Sequence, residues 1–462
     1  RFNPMLVVIV TAVGTALAAG FPIDKRSALL LDKENMTKYS ISPMSSLYEL
    51  YLRHPRISTD SRRIEPDSVF FALRGASFDG NRFAADALEK GAAYAVVDDP
   101  SLPNTRPDKA DRLIVVDDAL QTLQALAREH RRELGLPILA ITGSNGKTTT
   151  KELVSRVLAE KYEVYATRGN LNNHIGVPLT LLAMTRDVEF GIVEMGASAC
   201  GEIALLCSIA EPNYGIVTNI GRAHLEGFGG PEGVRRGKGE LYDWLARTGG
   251  RVFVPANDPV LMSMAAERET LAAECYPTTL ADGVEHHLEG DYNRFNVAAA
   301  VAVGRYFGVD DERIRYAVGS YRPDNHRSQK IRTGQNTLIL DCYNANPSSM
   351  QASLVNFRQE PLESCTRKIL ILGDMLELGD WSDAEHRHII SLAAEIPDAR
   401  ILLVGPHFAK AYRSLESRPA DTTLYPSQEV LAAELRKHPV SQALILVKGS
   451  HSIGLERLAD LL

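Results

Sequence analysis

With 462 residues the chain is too long for a single hydrophobic core, and its size predicts two or three domains. The formal net charge is −7 and no basic stripe with interleaved aromatic residues is present, which argues against a nucleic-acid partner. The cysteines are odd in number, spread out and without a C-x-x-C pair, which predicts reduced thiols and no zinc site: Cys200, Cys207, Cys275, Cys342 and Cys365.

An apolar segment at residues 5–20 is similar to the hydrophobic region of a secretory signal and is too short for a comfortable transmembrane helix. One interpretation is that this segment exports the protein or anchors it to a membrane. The interpretation we favour is that residues 1–43 are a non-native or upstream extension, since Met36 or Met44 could each begin a normal protein. Segment 136–152 predicts an ATP site, and ATP is found in the cytoplasm. We therefore expect a cytoplasmic protein without stable membrane association.

From about residue 45 to residue 118 the pattern predicts short strands and one helix. The strands are expected at 68–73, 93–97 and 113–116, and the helix at 83–89. Residues 119–134 are predicted to form an amphipathic helix that leads into the next apolar run.

Segment 136–152 joins an apolar run to a glycine-bounded turn and then to a helix-prone stretch. This order suits a triphosphate, because glycines let backbone N–H groups approach phosphate oxygens and a helix N-terminus adds partial positive charge. Ile141 stands where the longer P-loop pattern has its first glycine, so the match is to a short loop. The sequence therefore predicts an ATP site formed by Gly143, Ser144, Asn145, Gly146, Lys147, Thr148 and Thr149.

Strands and helices alternate from there to about residue 327, which predicts a mostly parallel sheet covered by helices on both faces. Glu194 ends a predicted buried strand at 190–194. Since ligands collect at the carboxyl ends of such strands, Glu194 is predicted to coordinate magnesium directly or through water. The alternative is an ordinary surface carboxylate.

Further candidate positions each have a structural and a functional interpretation. His224 follows a predicted strand and is either a solvated loop histidine or a metal ligand. Lys238 lies in a charged stretch that, by itself, predicts an exposed helix face. Asn293 and Asn296 open an alanine- and valine-rich helix, where one asparagine can be a cap or both amides can contact the edge of a purine.

A third block contains further predicted strands separated by helical segments, which indicates a second doubly wound α/β unit. The strands are expected at 337–340, 368–372, 400–404 and 443–447.

The order of these motifs resembles the Mur ligase family from Met44 to the C-terminus, and within it the type that adds D-alanyl-D-alanine to a UDP-N-acetylmuramoyl-tripeptide. Each motif is short, but their joint order is specific. The matching segments are TGSNGKTT at 142–149, NLNNHIGVP at 170–178, EMGA at 194–197, TNIGRAHLE at 218–226, KGE at 238–240 and DCYNANP at 341–347.

The resemblance implies three domains: a small UDP-substrate-binding domain at 44–118, a central ATP-binding domain with a parallel sheet at 119–327, and a Rossmann-like domain at 328–462. It implies an ATP-dependent amide ligase that phosphorylates the tripeptide carboxylate and lets the amine of D-alanyl-D-alanine attack the acyl phosphate. This reaction is a step in the synthesis of peptidoglycan precursors. We expect a monomer that closes around its substrates.

The resemblance also implies roles for individual residues. Lys147 stabilises the transferred phosphoryl group, and Thr148 with Glu194 holds one magnesium ion. His224 and Lys238 hold a second magnesium ion, with Lys238 carbamylated so that an ammonium group becomes an anionic oxygen donor.

Nucleotide and substrate contacts follow by the same matching. Asn293 and Asn296 are expected to contact the adenine, Asp341 the ribose, and Arg327 the outer phosphates. The same side of the nucleotide site is completed by Tyr343, Asn344 and Asn346. Ser61 and Arg62 are expected to bind the uridine diphosphate. The loop that contacts the muramoyl-peptide contains Asn172, Asn173 and His174.

Some positions depart from the family pattern or leave alternatives open. Segment 324–327 is similar to an amino-acid specificity motif of a neighbouring family type but has His326 in place of proline, and we interpret it as a hinge. His451 stands where arginine is common, and Asp374 and Glu377 either line the dipeptide pocket or solvate a turn. The alternatives are a ligase of the preceding step or of folylpolyglutamate type, a P-loop ATPase or kinase, and an inactive scaffold.

Overall fold

The computed structural model describes residues 43–288, 290–322 and 329–462. The chain divides into two compact units, residues 1–54 and residues 55–462. The described part of the first unit is helix α1 (Pro43–Arg53). The apolar segment 5–20 lies outside the described residues.

The second unit begins with a four-stranded parallel sheet in the order β1-β2-β5-β6. Strands β3 and β4 form a separate, short antiparallel hairpin. The predicted strands and the predicted helix of this block are confirmed. Its elements are β1 (Ile57–Ser58), β2 (Val69–Phe71), β3 (Arg74–Gly75), β4 (Phe78–Asp79), α2 (Ala84–Glu89), β5 (Tyr94–Val97), α3 (Leu102–Thr105) and β6 (Leu113–Val115).

Helix α4 (Ala119–Leu134) follows with the predicted bounds, capped by the Asp118 side chain at its start and by Gly135 in the left-handed region at its end. It leads into a six-stranded, wholly parallel sheet in the order β12-β11-β10-β7-β9-β8, as predicted. The strands are β7 (Ile138–Thr142), β8 (Val164–Ala166), β9 (Phe190–Glu194), β10 (Tyr214–Val217), β11 (Arg251–Pro255) and β12 (Ala272–Tyr276). The helices are α5 (Lys147–Ala159), α6 (Gly176–Leu182), α7 (Glu202–Ala210), α8 (Leu225–Phe228), α9 (Pro231–Thr248), α10 (Pro259–Ala266), α11 (Asn293–Tyr306) and α12 (Asp311–Ser320).

A second six-stranded sheet has the order β13-β14-β18-β15-β16-β17 and is parallel except for the antiparallel edge strand β13. The edge strands β13 and β17 are not among the predicted strands, whereas the other strands are confirmed. The strands are β13 (Gln329–Arg332), β14 (Thr337–Asp341), β15 (Arg367–Gly373), β16 (Ala399–Val404), β17 (Thr422–Tyr425) and β18 (Ala443–Lys448). The helices are α13 (Pro347–Gln359), α14 (Ser382–Ala394), α15 (Pro406–Arg413) and α16 (Gln428–Lys437).

Helix α11 is buried on nearly all sides, which explains its run of alanine and valine between residues 297 and 303. It packs against α5, the helix that follows the phosphate loop. At Gly304 a Cβ would lie 2.5 Å from Cγ1 of Val157 on α5, so only glycine permits this close approach. The packing carries Asn296 to within 3.0 Å of Thr150, next to the predicted nucleotide site.

Among the described residues, no helix combines the length and apolar character needed to cross a membrane.

A buried arginine ties α4 to the central sheet. Arg131 donates to the carbonyl oxygens of Ala210 and Glu211 and to Oδ1 of Asn213, at 2.9, 3.0 and 2.9 Å. We expect Arg131→Ala to lower the free energy of unfolding by about 2–4 kcal/mol, because these buried acceptors lose a charged donor. Urea denaturation followed by circular dichroism measures the effect.

The matched control is Arg132→Ala. Arg132 pairs with Glu211 at the surface, and its side chain is 63 % exposed. Exposed ion pairs contribute about 0.2–1 kcal/mol, so a loss in this variant as large as in Arg131→Ala would contradict the assignment.

Candidate active site

A cavity of about 880 Å³ lies at the carboxyl ends of β7, β9 and β10 and is completed by the C-terminal sheet's loops. This is the edge of a parallel sheet where ligands bind. Most of the predicted site residues line it: Ser144, Asn145, Gly146, Lys147, Thr148, Thr149, Asn172, Asn173, His174, Glu194, His224, Asn293, Asn296, Asp341 and Tyr343.

The phosphate loop has the conformation that its glycines predict. Gly143 and Gly146 have φ values of 137° and 79°, in the left-handed region. Lys147 begins α5, and its ammonium group donates to the carbonyl oxygens of Gly143 and Ser144, at 2.7 and 3.2 Å, folding back over the loop. The loop therefore presents a helix N-terminus and a lysine to the cavity, a combination suited to phosphate groups.

Glu194 ends β9 and is 2 % exposed. Its Oε1 accepts hydrogen bonds from the Thr148 hydroxyl (3.2 Å) and from the Asn172 amide (2.9 Å). Oε2 has no hydrogen-bond partner among the described residues, although the Lys151 ammonium lies 3.9 Å away. A buried carboxylate oxygen without a donor, next to a threonine hydroxyl, fits a divalent cation.

Lys238 is 1 % exposed, so the interpretation of its stretch as an exposed helix face is wrong at this position. Its Nζ donates to the Ala197 carbonyl oxygen at 3.1 Å and lies 5.0 Å from the centre of the Phe228 ring. Burial, and then repulsion from Lys147, lower the pKa of Lys238 well below its usual range. This lysine is therefore held toward its neutral form, in which the amine is nucleophilic.

His224 precedes α8 with a φ of 53°, and its Nδ1 is hydrogen-bonded to Oε2 of Glu377 from the C-terminal sheet's loop. This bond lowers the pKa of Glu377 below its usual range. Carboxylates bound to one ring nitrogen are typical of histidines that ligate a metal through the other.

The described residues contain no cluster of three or more His, Cys, Asp or Glu side chains arranged around a metal. Magnesium, however, is commonly held by one or two carboxylates together with substrate phosphates. Glu194 with Thr148 fits that pattern.

Asn296 accepts a hydrogen bond from the Thr150 hydroxyl (3.0 Å) and donates to Oδ1 of Asn293 (2.8 Å). Asn293 is the first residue of α11 and not its cap, which is Tyr292. The two amides therefore form one cluster at the cavity wall, as the purine-binding interpretation requires.

The C-terminal wall contains Asp341 and Tyr343. Asp341 is bound by the buried Lys448 ammonium and, at 2.8 Å, by the Ser353 hydroxyl. Sequence reasoning missed the role of Lys448 beside Asp341. Lys448 reaches Asp341 because the ends of β14 and β18 are paired in register, a pairing that neither strand's own sequence indicates.

Asn346 caps α13 and exchanges hydrogen bonds with the side chain of Asn145 in the phosphate loop, at 2.8 and 3.4 Å. Arg222 bridges the same two parts of the chain by pairing with the buried Glu385 on α14, a contact that the sequence did not indicate.

Other predicted residues are not brought to the cavity wall. Ser61 and Arg62 do not line the cavity, and Arg62 pairs with Asp60 at the surface, lowering the pKa of Asp60 to about 2. Arg327 and the hinge 324–327 lie outside the described residues. Asp374 is buried and caps α15, so the prediction that it lines a pocket is not supported.

Comparison with known proteins agrees with this architecture. Family models match at 55–131 (Mur ligase family, catalytic domain), 141–279 (Mur ligase middle domain) and 326–451 (Mur ligase, glutamate ligase domain). The chain is 34 % identical over 432 residues to UDP-N-acetylmuramoyl-tripeptide–D-alanyl-D-alanine ligase of Bacillus subtilis, covering 87 % of this chain and 92 % of that one. The chain belongs to the Mur ligase family.

Solved Mur ligases share the fold. A MurF structure from Acinetobacter baumannii superposes with a TM-score of 0.76 and 30 % identity, over 88 % of this chain and 93 % of that one. MurF ligase from Thermotoga maritima in complex with ADP gives a TM-score of 0.75 and 25 % identity, over 89 % and 97 % of the chains. The predicted α/β architecture and the family resemblance are thus confirmed.

Nucleotide binding to this Mur ligase depends on the shape of the phosphate loop. At Gly143 a Cβ would lie 2.0 Å from the hydroxyl and 2.9 Å from the backbone nitrogen of Thr218. We expect Gly143→Ala to weaken ADP binding by about tenfold or more, because the loop must move and φ becomes strained. Isothermal titration calorimetry with magnesium and ADP measures the change.

Gly249→Ala is the matched control. Gly249 also has a positive φ, of 72°, but its Cβ would meet no described atom within 4 Å. If both variants bind ADP equally well, the steric argument is refuted.

Proposed function

We propose that this Mur ligase joins the carboxylate of UDP-N-acetylmuramoyl-tripeptide to the amine of D-alanyl-D-alanine, using ATP, in peptidoglycan precursor synthesis. The observation that carries the proposal is one cavity that combines the phosphate loop, the Glu194 carboxylate and the Asn293–Asn296 cluster, in a chain that matches the Bacillus subtilis ligase over 92 % of its length. We assign residues 44–118 to a UDP-substrate-binding domain, residues 119–327 to the central ATP-binding domain, and residues 328–462 to a C-terminal Rossmann-like ligase domain.

The reaction is an amide synthesis in two transfers. A carboxylate oxygen of the tripeptide attacks the γ-phosphorus of ATP, and ADP leaves. The dipeptide amine then attacks the acyl carbon and gives up a proton to solvent, and the tetrahedral intermediate expels phosphate. Lys147 and the N-terminus of α5 stabilise the charge on the transferred group, which is the main requirement of phosphoryl transfer.

Nucleotide contacts are assigned around this loop. Asn293 and Asn296 bind the adenine, Asp341 binds the ribose, and Arg327 binds the outer phosphates. Tyr343 contributes to the same wall.

Magnesium fits at Thr148 and Glu194, where the buried Oε2 lacks a hydrogen-bond donor among the described residues. A second ion would be held by His224 and a carbamylated Lys238. Bound there, such cations would neutralise part of the negative charge of the phosphate groups. Carbamylation joins the neutral Lys238 amine to carbon dioxide and releases one proton, which is consistent with the buried lysine's lowered pKa.

A second cavity of about 240 Å³ adjoins the first and shares His224, Asn344 and Glu377 with it. We assign it to D-alanyl-D-alanine and call it the acceptor pocket, lined by residues 223–224, 344–346, 376–377 and 450–452. Its size suits two alanines, and the Glu377 carboxylate can receive the dipeptide's ammonium group.

The UDP-linked substrate is assigned to the remaining predicted residues. Ser61 and Arg62 contact the uridine diphosphate, and the loop of Asn172, Asn173 and His174 contacts the muramoyl-peptide. We further propose that the enzyme is monomeric and cytoplasmic, where ATP and its UDP-linked substrate occur.

The decisive assay is phosphate release from ATP by the purified protein with UDP-N-acetylmuramoyl-tripeptide, with and without D-alanyl-D-alanine. We expect release that requires both substrates, with pentapeptide detected by mass spectrometry. Release with a free amino acid on the shorter UDP-dipeptide would instead assign the preceding step, and no response to any UDP-muramoyl peptide would refute the substrate assignment.

The carbamate proposal predicts the behaviour of Lys238→Ala. This variant should lose ligation, and bicarbonate or a short carboxylic acid should partly restore it by supplying anionic oxygens in the vacated space. In the wild type, ¹³C-bicarbonate should give a carbamate signal by NMR that the variant lacks. Chloride at equal ionic strength is the control for the rescue. Full activity of Lys238→Ala without any added acid would refute the carbamate proposal.

A further inference from the structure

The loop at residues 374–378 connects β15 to the surface of the acceptor pocket. Its ends are buried, with Met375 and Leu378 at 1 % and 2 % exposure, while Glu377 reaches His224. Glu377 has a φ of 59°, and its carbonyl oxygen accepts from the backbone nitrogen of Glu226 at 3.2 Å. The direction of the Glu377 side chain therefore depends on how the buried half of this loop is held.

Side chains hold the loop at successive backbone N–H groups. The Met375 N–H donates to Nε2 of His386 (3.1 Å), and the Leu376 N–H donates to the Ser450 hydroxyl (3.1 Å). His386 lies on α14 and is fully buried. Because Nε2 accepts this bond, the ring proton is on Nδ1, which faces the Ser382 carbonyl oxygen at 2.7 Å.

Resting on the proposed function, we propose that His386 is a positioning residue that holds loop 374–378 so that Glu377 faces the acceptor pocket. His386 touches neither cavity, and it acts through the backbone bond to Met375. Protonation of Nε2 would place two donors against each other and break this bond.

Charged and titratable groups surround the ring on several elements. The Asp374 carboxylate lies 3.9 Å from Nε2, and His407 on α15 is stacked at 5.6 Å between ring centres. Phe408 packs edge-on, and Asp383 on α14 pairs with Lys410 at 2.7 Å. Burial is the largest influence and lowers the pKa of His386 below its usual value, so the neutral ring that accepts the Met375 bond is the favoured form.

The test compares His386→Leu, which removes the acceptor, with His386→Gln, whose amide oxygen can replace Nε2. The control is His388→Gln, an exposed histidine on the same helix. In pentapeptide formation, His386→Leu should raise the KM for D-alanyl-D-alanine by about tenfold, because the buried Met375 N–H loses its acceptor and the loop shifts. Its KM for ATP should stay within about threefold, because the phosphate loop keeps its own contacts. His386→Gln and His388→Gln should remain close to wild type at pH 8.

The pH profile gives an independent reading. Neutral His386 holds loop 374–378 fully above pH ~6.5, the pKa of a histidine in the unfolded chain. This contribution is lost as the pH falls through the lower pKa of His386 in the folded protein. The wild-type kcat/KM for the dipeptide should therefore decline more steeply in acid than that of His386→Gln, which cannot titrate at this position. This comparison decides the question if His386→Leu does not fold.

The inference is overturned by equal rises in the KM for ATP and for the dipeptide in His386→Leu, and also by identical acid limbs in the wild type and His386→Gln. A wild-type protein that forms no pentapeptide refutes the proposed function. A wild type that forms it, with kinetics unchanged in His386→Leu, refutes only the role of His386.

Discussion

The site depends on how Asn145, in the middle of the phosphate loop, is bound. Its backbone nitrogen donates to Oδ1 of Asn219 (3.1 Å), and its carbonyl oxygen accepts from the Thr218 hydroxyl and from the Asn219 amide. Its side chain exchanges hydrogen bonds with Asn346 of the C-terminal sheet's first loop. The loop is therefore shaped by the end of β10 and by the neighbouring domain at once, so the backbone groups that face a phosphate are fixed before a ligand arrives.

Buried charges are concentrated around this loop. Lys151 donates to the Thr167 carbonyl oxygen at 2.6 Å, and Lys448 binds Asp341. Lys238 donates to the Ala197 carbonyl oxygen and lies beside the Phe228 ring. Burying a charged group is costly unless it is paired. Lys151 and Lys448 lie 2.9 and 2.5 Å from carboxylate oxygens of Glu152 and Asp341, whereas burial and the nearby Lys147 lower the pKa of Lys238 and move it toward the neutral amine. Position in the fold, more than residue type, gives these lysines different chemistry.

Much of the fold could be predicted from the sequence, because the buried strands are continuous apolar runs and α4 has clear signals at both ends, Asp118 and Gly135. The edge strands β13 and β17 were missed, since partly exposed edges lack such a run.

The site was predictable where chemistry and local sequence coincide, as at Lys147 and Glu194. The burial of Lys238 was not, because a charged stretch on a helix does not reveal which of its residues faces the core. The pairs Arg222–Glu385 and Lys448–Asp341 join residues more than one hundred positions apart, and no local pattern records them.

Three bridges between the central and C-terminal sheets are polar: Asn145 to Asn346, Arg222 to Glu385, and His224 to Glu377. Water can replace each of these partners, so separating the two sheets at these points exposes groups that hydrate readily. At these three points, separation leaves hydrated polar groups and not an apolar surface. A central sheet that parted from the C-terminal sheet here would keep the bonds from Thr218 and Asn219 to its phosphate loop and would give up only those from Asn346.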